Sequence, residues 1–166
     1  MKTYLDNARD FLNAYADTLD RLWGSDYTSY EAFCCRNNIE YAHGAVRFVF
    51  VGENFVIKLN YGDRNRIKWA GGCLEEYKCY KQFEADNMDY LLCPLTKMKC
   101  GHHFYYVMPR ATVACEEELD EDDYWRNISP DEAEYINRYV NDIHNENFGF
   151  YKDRCVLIDY AWNTFR

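Results

Sequence analysis

Three oxygen-bearing side chains are spaced for chemistry on a cation. Asp142 and Asn147 stand five residues apart in Asn141-Asp142-Ile143-His144-Asn145-Glu146-Asn147, and Asp159 follows Asn147 by twelve residues in Leu157-Ile158-Asp159-Tyr160-Ala161. Carboxylate and amide oxygens are the hard donors that magnesium prefers, with retained waters filling the remaining positions. An Asp and an Asn on one polar loop, met by an Asp at the end of the following hairpin, would bring three oxygen sources to one point. A fourth residue carries the opposite charge. Lys58 ends Phe55-Val56-Ile57-Lys58, and an ammonium among apolar neighbours needs a counter-charge once it is buried.

These runs resemble the Asp-x-His-x-x-Asn and Ile-Asp-Phe-Gly motifs of the protein-kinase-like superfamily, in the form found in aminoglycoside and related small-molecule kinases and in small bacteriophage-encoded kinases. The resemblance covers about residues 41–161 and implies ATP and Mg2+ as cofactors. By it, Asp142 orients or deprotonates the acceptor hydroxyl, and Asn147 and Asp159 ligate magnesium. Val56-Ile57-Lys58 is similar to the Val-Ala-Ile-Lys pattern, whose Lys contacts the α- and β-phosphates. Gly44, fourteen residues before Lys58 in His43-Gly44-Ala45-Val46-Arg47-Phe48-Val49-Phe50, resembles a reduced glycine loop whose amides meet phosphate. Glu76, with Tyr80 one turn on, is the implied partner of Lys58. Neighbouring Glu75 is the alternative, because helix phase is not fixed by sequence. Phe104-Tyr105-Tyr106-Val107-Met108-Pro109-Arg110-Ala111 resembles the strand entering the hinge between lobes, which puts adenine contacts at Met108 to Ala111. His144 is expected only to pack or hydrogen-bond within its loop.

The resemblance implies a phosphotransferase of minimal kinase type, phage- or bacterium-encoded, acting on a protein or small-molecule acceptor. The main requirement of that chemistry is to hold magnesium, clamp the triphosphate and aim a hydroxyl in line. A nucleotide-binding pseudokinase that docks on a host or partner protein is the alternative. A third is an interaction protein in which the motifs are relics.

The elements that must position these residues follow from patterning. Residues 3–23 carry apolar side chains at spacings of three and four, which predicts one helix ending at Gly24. Thr28-Ser29-Tyr30-Glu31 predicts a capping box opening a second helix to about Asn37. Residues 45–51 and 55–60 around Gly52-Glu53-Asn54 predict a hairpin that carries Lys58. A third helix is expected over Ile67 to Phe83, beginning at Ile67 or only at Cys73 because of Gly71-Gly72. Leu91 to Met98 and His103 to Met108 predict a second hairpin stopped by Pro109. Ser129-Pro130-Asp131-Glu132 predicts a helix from Pro130 to about Asn141, followed by strands near Phe148–Tyr151 and Cys155–Ile158.

The fold class expected is α+β, kinase-like, with N-terminal helices, an antiparallel sheet N-lobe with one Glu-bearing helix, and a strongly truncated C-lobe. The corresponding segments are 1–38 (helical), 39–114 (N-lobe), 115–128 (acidic connector) and 129–166 (minimal C-lobe). Seven residues follow Asp159, and the last segment has 38 residues, below the roughly 40 under which independent domains need support. Either the N-terminal helices or a second copy of the chain would have to complete it.

The chain has 166 residues and a net charge of -9, which repels a phosphate backbone, so no nucleic-acid partner is expected. Seven carboxylates among the eight residues Glu116–Asp123 read as a solvated loop. The eight cysteines accompany an N-terminus without signal-peptide features, so reduced thiols are expected. Cys93 to Cys100 with His102 and His103 lacks the paired spacing of a zinc site. No apolar run nears the roughly 20 residues that span a membrane. No membrane partner is expected, and the cytoplasm is the expected location, the host's if the protein is phage-encoded.

Overall fold

The computed structural model describes residues 2–44, 47–61, 72–113, 125, 127–141 and 143–162. It is mixed α+β with an antiparallel main sheet. The chain divides into two units, Met1–Cys73 with Leu95–Arg110, and Leu74–Pro94 with Ala111–Arg166. Among the described residues no helix is long and apolar enough to cross a membrane.

The first unit begins with α1 (Tyr4–Ala14), α2 (Ala16–Leu22) and α3 (Tyr27–Asn37). The single helix expected over 3–23 is therefore two. Neither glycine nor proline marks the break. It falls at Tyr15, whose backbone leaves the helical region (φ -115, ψ 12) while its ring packs edge-on against Phe33 at 5.2 Å. The cap of α3 also differs from the expected Thr28. Asp26 is the N-cap, its carboxylate accepting the Ser29 amide at 3.0 Å and both the Thr28 and Ser29 hydroxyls. A carboxylate takes three donors at once, which a Thr hydroxyl does not.

Five strands form the sheet of this unit: β1 (Glu40–His43), β2 (Arg47–Val51), β3 (Phe55–Asn60), β4 (Thr96–Cys100) and β5 (His103–Pro109), in the order β1-β2-β3-β5-β4 with antiparallel neighbours. Alternation along the strands splits the sheet into two faces. Phe50, Ile57 and Val107 lie in one cross-strand row. With Phe48, Leu59 and Tyr105 they are buried against Ala8, Leu12, Leu19, Tyr30 and Phe33 of the helices. Each Leu, Ile, Val or Phe among them contributes about 1.5–3 kcal/mol by leaving water. The N-terminal helices thus cover the sheet of their own unit. Their apolar stripes are spent on that sheet.

The second hairpin is shorter than expected. Strand β4 starts at Thr96, and a two-residue turn at Gly101-His102 leads into β5, with Gly101 at φ +58. Leu91 to Leu95 do not join that strand. Asp89–Leu91 form a 3-10 turn, Leu92 makes a parallel bridge to Leu157, and the Cys93 amide donates to Leu157 O at 2.8 Å. The apolarity of this run reflects burial (Leu91, Leu92, Cys93 and Leu95 are all buried), which a strand and an irregular buried segment share.

In the second unit, α4 (Cys73–Ala85) packs Phe83 edge-on against Tyr135 at 4.9 Å, on α5 (Pro130–Tyr139). Helix α5 opens on the expected capping box, the Ser129 hydroxyl accepting the Glu132 amide while Glu132 accepts the Ser129 amide. It ends two residues earlier than expected. Val140–Asn141 (β7) are extended and pair with Ala161–Trp162 (β10). A three-stranded sheet holds β6 (Thr112–Val113), β8 (Phe148–Tyr151) and β9 (Arg154–Leu157), in the order β6-β8-β9. The β8–β9 turn uses Lys152 and Asp153, both at positive φ. Gly149 permits the close approach of β6, since a Cβ there would lie 3.1 Å from Thr112 O and 3.2 Å from the Ala111 Cβ.

Candidate functional site

The two C-terminal motifs are joined through their backbones. Asn147 ends a 3-10 turn, Asn145–Asn147, closed by its amide donating to His144 O at 2.8 Å. Strand β8 then leaves and β9 returns, pairing Phe148 with Leu157. At the close of that hairpin the Ile158 amide donates to Asn147 O at 2.8 Å. Asp159 is the next residue. Two residues further on, Ala161 pairs with Asn141. Asp142 lies outside the described residues, but its neighbour Asn141 is the strand partner of the residue two beyond Asp159. The Asn147 side chain is buried and that of Asp159 half-buried. His144 is exposed, with its Nδ1 4.0 Å from Glu146, and its carbonyl serves the turn.

Ala161 stands where the resemblance has glycine. Glycine is needed where φ is positive, and Ala161 lies in a paired strand and is not among the positive-φ residues. The local backbone therefore has no requirement for glycine at this position.

Glu76 and Tyr160 form a buried pair behind this loop. The phase of α4, open from sequence, turns Glu76 inward with Cys79, Tyr80 and Phe83, all buried. Glu75 faces outward and pairs with Lys78 at 2.8 Å. The Glu76 carboxylate accepts the Tyr160 amide at 3.4 Å. Tyr160 is itself fully buried, and its hydroxyl donates to Cys93 O at 2.6 Å. Burial, and then the nearby Glu76 carboxylate, hold the Tyr160 phenol far above its ordinary pKa, so it remains a neutral donor. Burial likewise raises the Cys79 thiol, with Glu76 adding to the effect. A thiol of that kind is no nucleophile.

In the first unit Lys58 is buried at the centre of the sheet, 7% exposed. It lies on the face opposite the helices, in a cross-strand row with Val49, Tyr106 and Lys97. Gly44 follows β1 at the turn into β2. Its amide closes that turn by donating to Arg47 O at 2.9 Å, and its carbonyl accepts the Tyr61 hydroxyl at 2.5 Å. Among the described residues nothing lies within 4 Å of a Cβ built at Gly44, so packing among them does not demand glycine. The Gly44 amide is engaged in this turn.

Met108 is buried opposite Val56 on β5. The strand closes at Pro109, and Arg110 anchors its exit. The Arg110 amide donates to Asn54 O at 3.0 Å, and its guanidinium meets Glu40 at 2.9 and 3.1 Å and Gly52 O at 3.1 Å. Ala111, half-buried, opens the run into β6. The run Glu116–Asp123 lies outside the described residues.

The donor set of the C-terminal loops fits magnesium. Asn147 and Asp159 supply oxygens from segments linked by a hydrogen bond, and magnesium is commonly held by one or two such groups plus waters and phosphates. Among the described residues no group of three or more His, Cys, Asp or Glu side chains is placed to hold a metal. The seven described cysteines form no disulfide.

Local pattern does not reveal the partner of the Tyr160 hydroxyl, the pairing of Arg110 with Glu40, or the role of Asn60, whose side-chain oxygen accepts the Cys73 amide at 2.9 Å. Tyr160 carried a usable signal. A Tyr where the resembling motif has Phe adds a hydroxyl that must find a partner if the ring is buried. No protein-family model, curated protein or solved structure matches the chain.

Proposed function

We propose that this chain is a minimal protein-kinase-like phosphotransferase that binds ATP with magnesium and transfers the γ-phosphoryl group to a hydroxyl of a protein or small-molecule acceptor. One observation carries the reading. The Asp142/Asn147 run and the Asp159 run, recognised separately in the sequence, lie side by side, joined by the Asn147–Ile158 hydrogen bond and the Asn141–Ala161 pairing. A chance occurrence of the two motifs does not call for that pairing. The buried Lys58 on the central strand of an antiparallel sheet is in keeping with it.

Each residue then has a role. The Lys58 ammonium neutralises the α- and β-phosphates, and Met108 to Ala111 offer backbone groups to adenine. Asn147 and Asp159 hold magnesium, whose chemistry is to draw charge off the phosphate oxygens. Asp142 orients the acceptor hydroxyl and takes its proton. Glu76 holds the backbone beyond Asp159 in place.

The test is transfer of label from γ-labelled ATP to a panel of protein and small-molecule acceptors, by wild type and by Asp142→Ala. Loss of a general base lowers rate by about 10² to 10⁴. Transfer by wild type that Asp142→Ala leaves unchanged would refute the mechanism. ATP binding without transfer to any acceptor would favour the pseudokinase reading.

A further inference from the structure

Strand β4 is an outer strand of its sheet, paired on one side with β5. We infer that its free edge takes an extended acidic segment of a partner protein, added as a further strand with carboxylates at alternate positions facing Lys97 and Lys99. The inference concerns a surface of the first unit and stands apart from the nucleotide reading.

The backbone of β4 sets the edge. The turn Gly101-His102 closes on Cys100 and His103, the pair that exchanges both hydrogen bonds in a two-residue hairpin. Bonded and non-bonded pairs then alternate along antiparallel strands. Cys100, Met98 and Thr96 therefore bond inward to β5, and Lys97 and Lys99 turn their N–H and C=O groups outward. Among the described residues nothing bonds to that outward row. Such a row is a template on which another strand can be added.

The side chains of the same two residues supply the charge. Lys97 lies across from Tyr106 and Lys99 across from Phe104, on the face opposite the helices, while Met98 and Cys100 pack against the core. Lys99 is exposed and Lys97 half-buried, its ammonium over the Phe104 ring at 4.2 Å. Among the described residues neither lysine has a carboxylate partner. An ammonium resting on a ring keeps donors on its other side for an oxygen acceptor. Residues directly opposite on paired strands stand about 4.5–5.5 Å apart between Cβ atoms, and opposite charges there are favourable. Two cations two positions apart thus match two carboxylates two positions apart.

Lysines on an outer strand guard against random pairing of sheet edges, and the same charges select. A second copy joined through β4 would set the lysines of each chain against those of the other, which like charges disfavour. The net charge of -9 repels an acidic segment over most of the surface, but salt screens that repulsion within about 8 Å, so the local cations decide. The other outer strand, β1, lacks this pattern. Its Glu40 is engaged by Arg110 and its His43 stacks on Tyr27.

The test uses the full chain and a labelled peptide of about ten residues, long enough to span β4, in which Glu alternates with Thr. Binding is read by fluorescence anisotropy at physiological salt. Saturable binding is expected, at least about tenfold weaker for three controls: Gln in place of Glu, the same residues with Glu in one block, and alternate amides N-methylated on the bonding edge. The variant Lys97→Glu with Lys99→Glu is expected to lose the Glu peptide and to bind a Lys-Thr peptide about tenfold more tightly than wild type does. No binding of the Glu peptide by wild type would overturn the inference, including the case where anionic vesicles or single-stranded DNA bind instead through the lysines. Equal binding of the block or N-methylated peptide would overturn strand addition. A folded double variant that keeps the Glu peptide would do the same for the lysines. If the double variant does not fold, Lys99→Glu alone, at an exposed position, is expected to weaken the Glu peptide about tenfold, and unchanged affinity would overturn the inference.

Discussion

The carbonyl oxygen of Asn147 accepts the amide hydrogen of Ile158 at 2.8 Å, so the residue before Asp159 is tied to the other proposed magnesium ligand. Two ligands twelve positions apart in the chain are thereby made neighbours by a single hairpin. Their roles are nonetheless separable by mutation. Asp159→Asn is expected to abolish the magnesium-dependent part of ATP binding while leaving the urea midpoint close to wild type, because Asp159 is only half-buried. Asn147→Ala should do both, removing metal dependence and lowering stability by about 1–3 kcal/mol, as for other buried polar groups whose partners are stranded. Calorimetric titration with and without magnesium, beside urea unfolding, reads the two effects apart.

Lys58→Met keeps an unbranched side chain, one atom shorter, and removes its charge. An ATP affinity lowered at least tenfold is expected, with the antiparallel sheet intact by circular dichroism. Titration of the variant with ATP checks this, and unaltered affinity would remove Lys58 from the site.

The helices of the first unit bury the Phe48 and Phe50 face of the sheet, with Phe11 5.4 Å from Phe50 and Tyr30 5.3 Å from Phe48. Phe50→Ala should lower unfolding free energy by about 3–5 kcal/mol. Removing residues 1–38 would expose that whole face, and the truncated protein is expected to be insoluble. A soluble, monomeric truncation on gel filtration would contradict the assignment of these helices to the sheet.

Acid should loosen α3 through its cap. The Ser29 hydroxyl, the Thr28 hydroxyl and the Ser29 amide hold the Asp26 carboxyl below its ordinary value of 3.8. The folded protein therefore binds this proton less readily than the unfolded chain. The cap's contribution is full above the unfolded value and is lost as pH falls through the lower folded value. Urea midpoints of wild type and Asp26→Ala should differ at pH 7 and converge as pH drops below about 3.8.

Much of this was legible from local pattern. The Ser129-Pro130-Asp131-Glu132 cap, the hairpin bearing Lys58 and the strands around Lys152-Asp153 stand where turn and capping chemistry put them, because those signals act over three or four residues. What failed depended on distant partners. Leu91 to Leu95 look like a strand in isolation, yet Leu157 decides their conformation. The helix breaks at Tyr15, whose ring packs on Phe33 eighteen positions away. The site was legible as residue types and spacing. The bonds of Tyr160 to Cys93 and Glu76 were not, since they join residues 67 and 84 positions apart.

The most direct test of the central claim is the melting temperature of the full chain with ATP, in the presence of magnesium and in its absence. Specific binding at a ligand concentration one hundred times Kd stabilises by about 2.7 kcal/mol. A clear upward shift with ATP and magnesium together, much reduced without the metal and lost in Asp159→Asn, is the predicted result. No shift with ATP and magnesium at millimolar concentration, or an equal shift in Asp159→Asn, would contradict it.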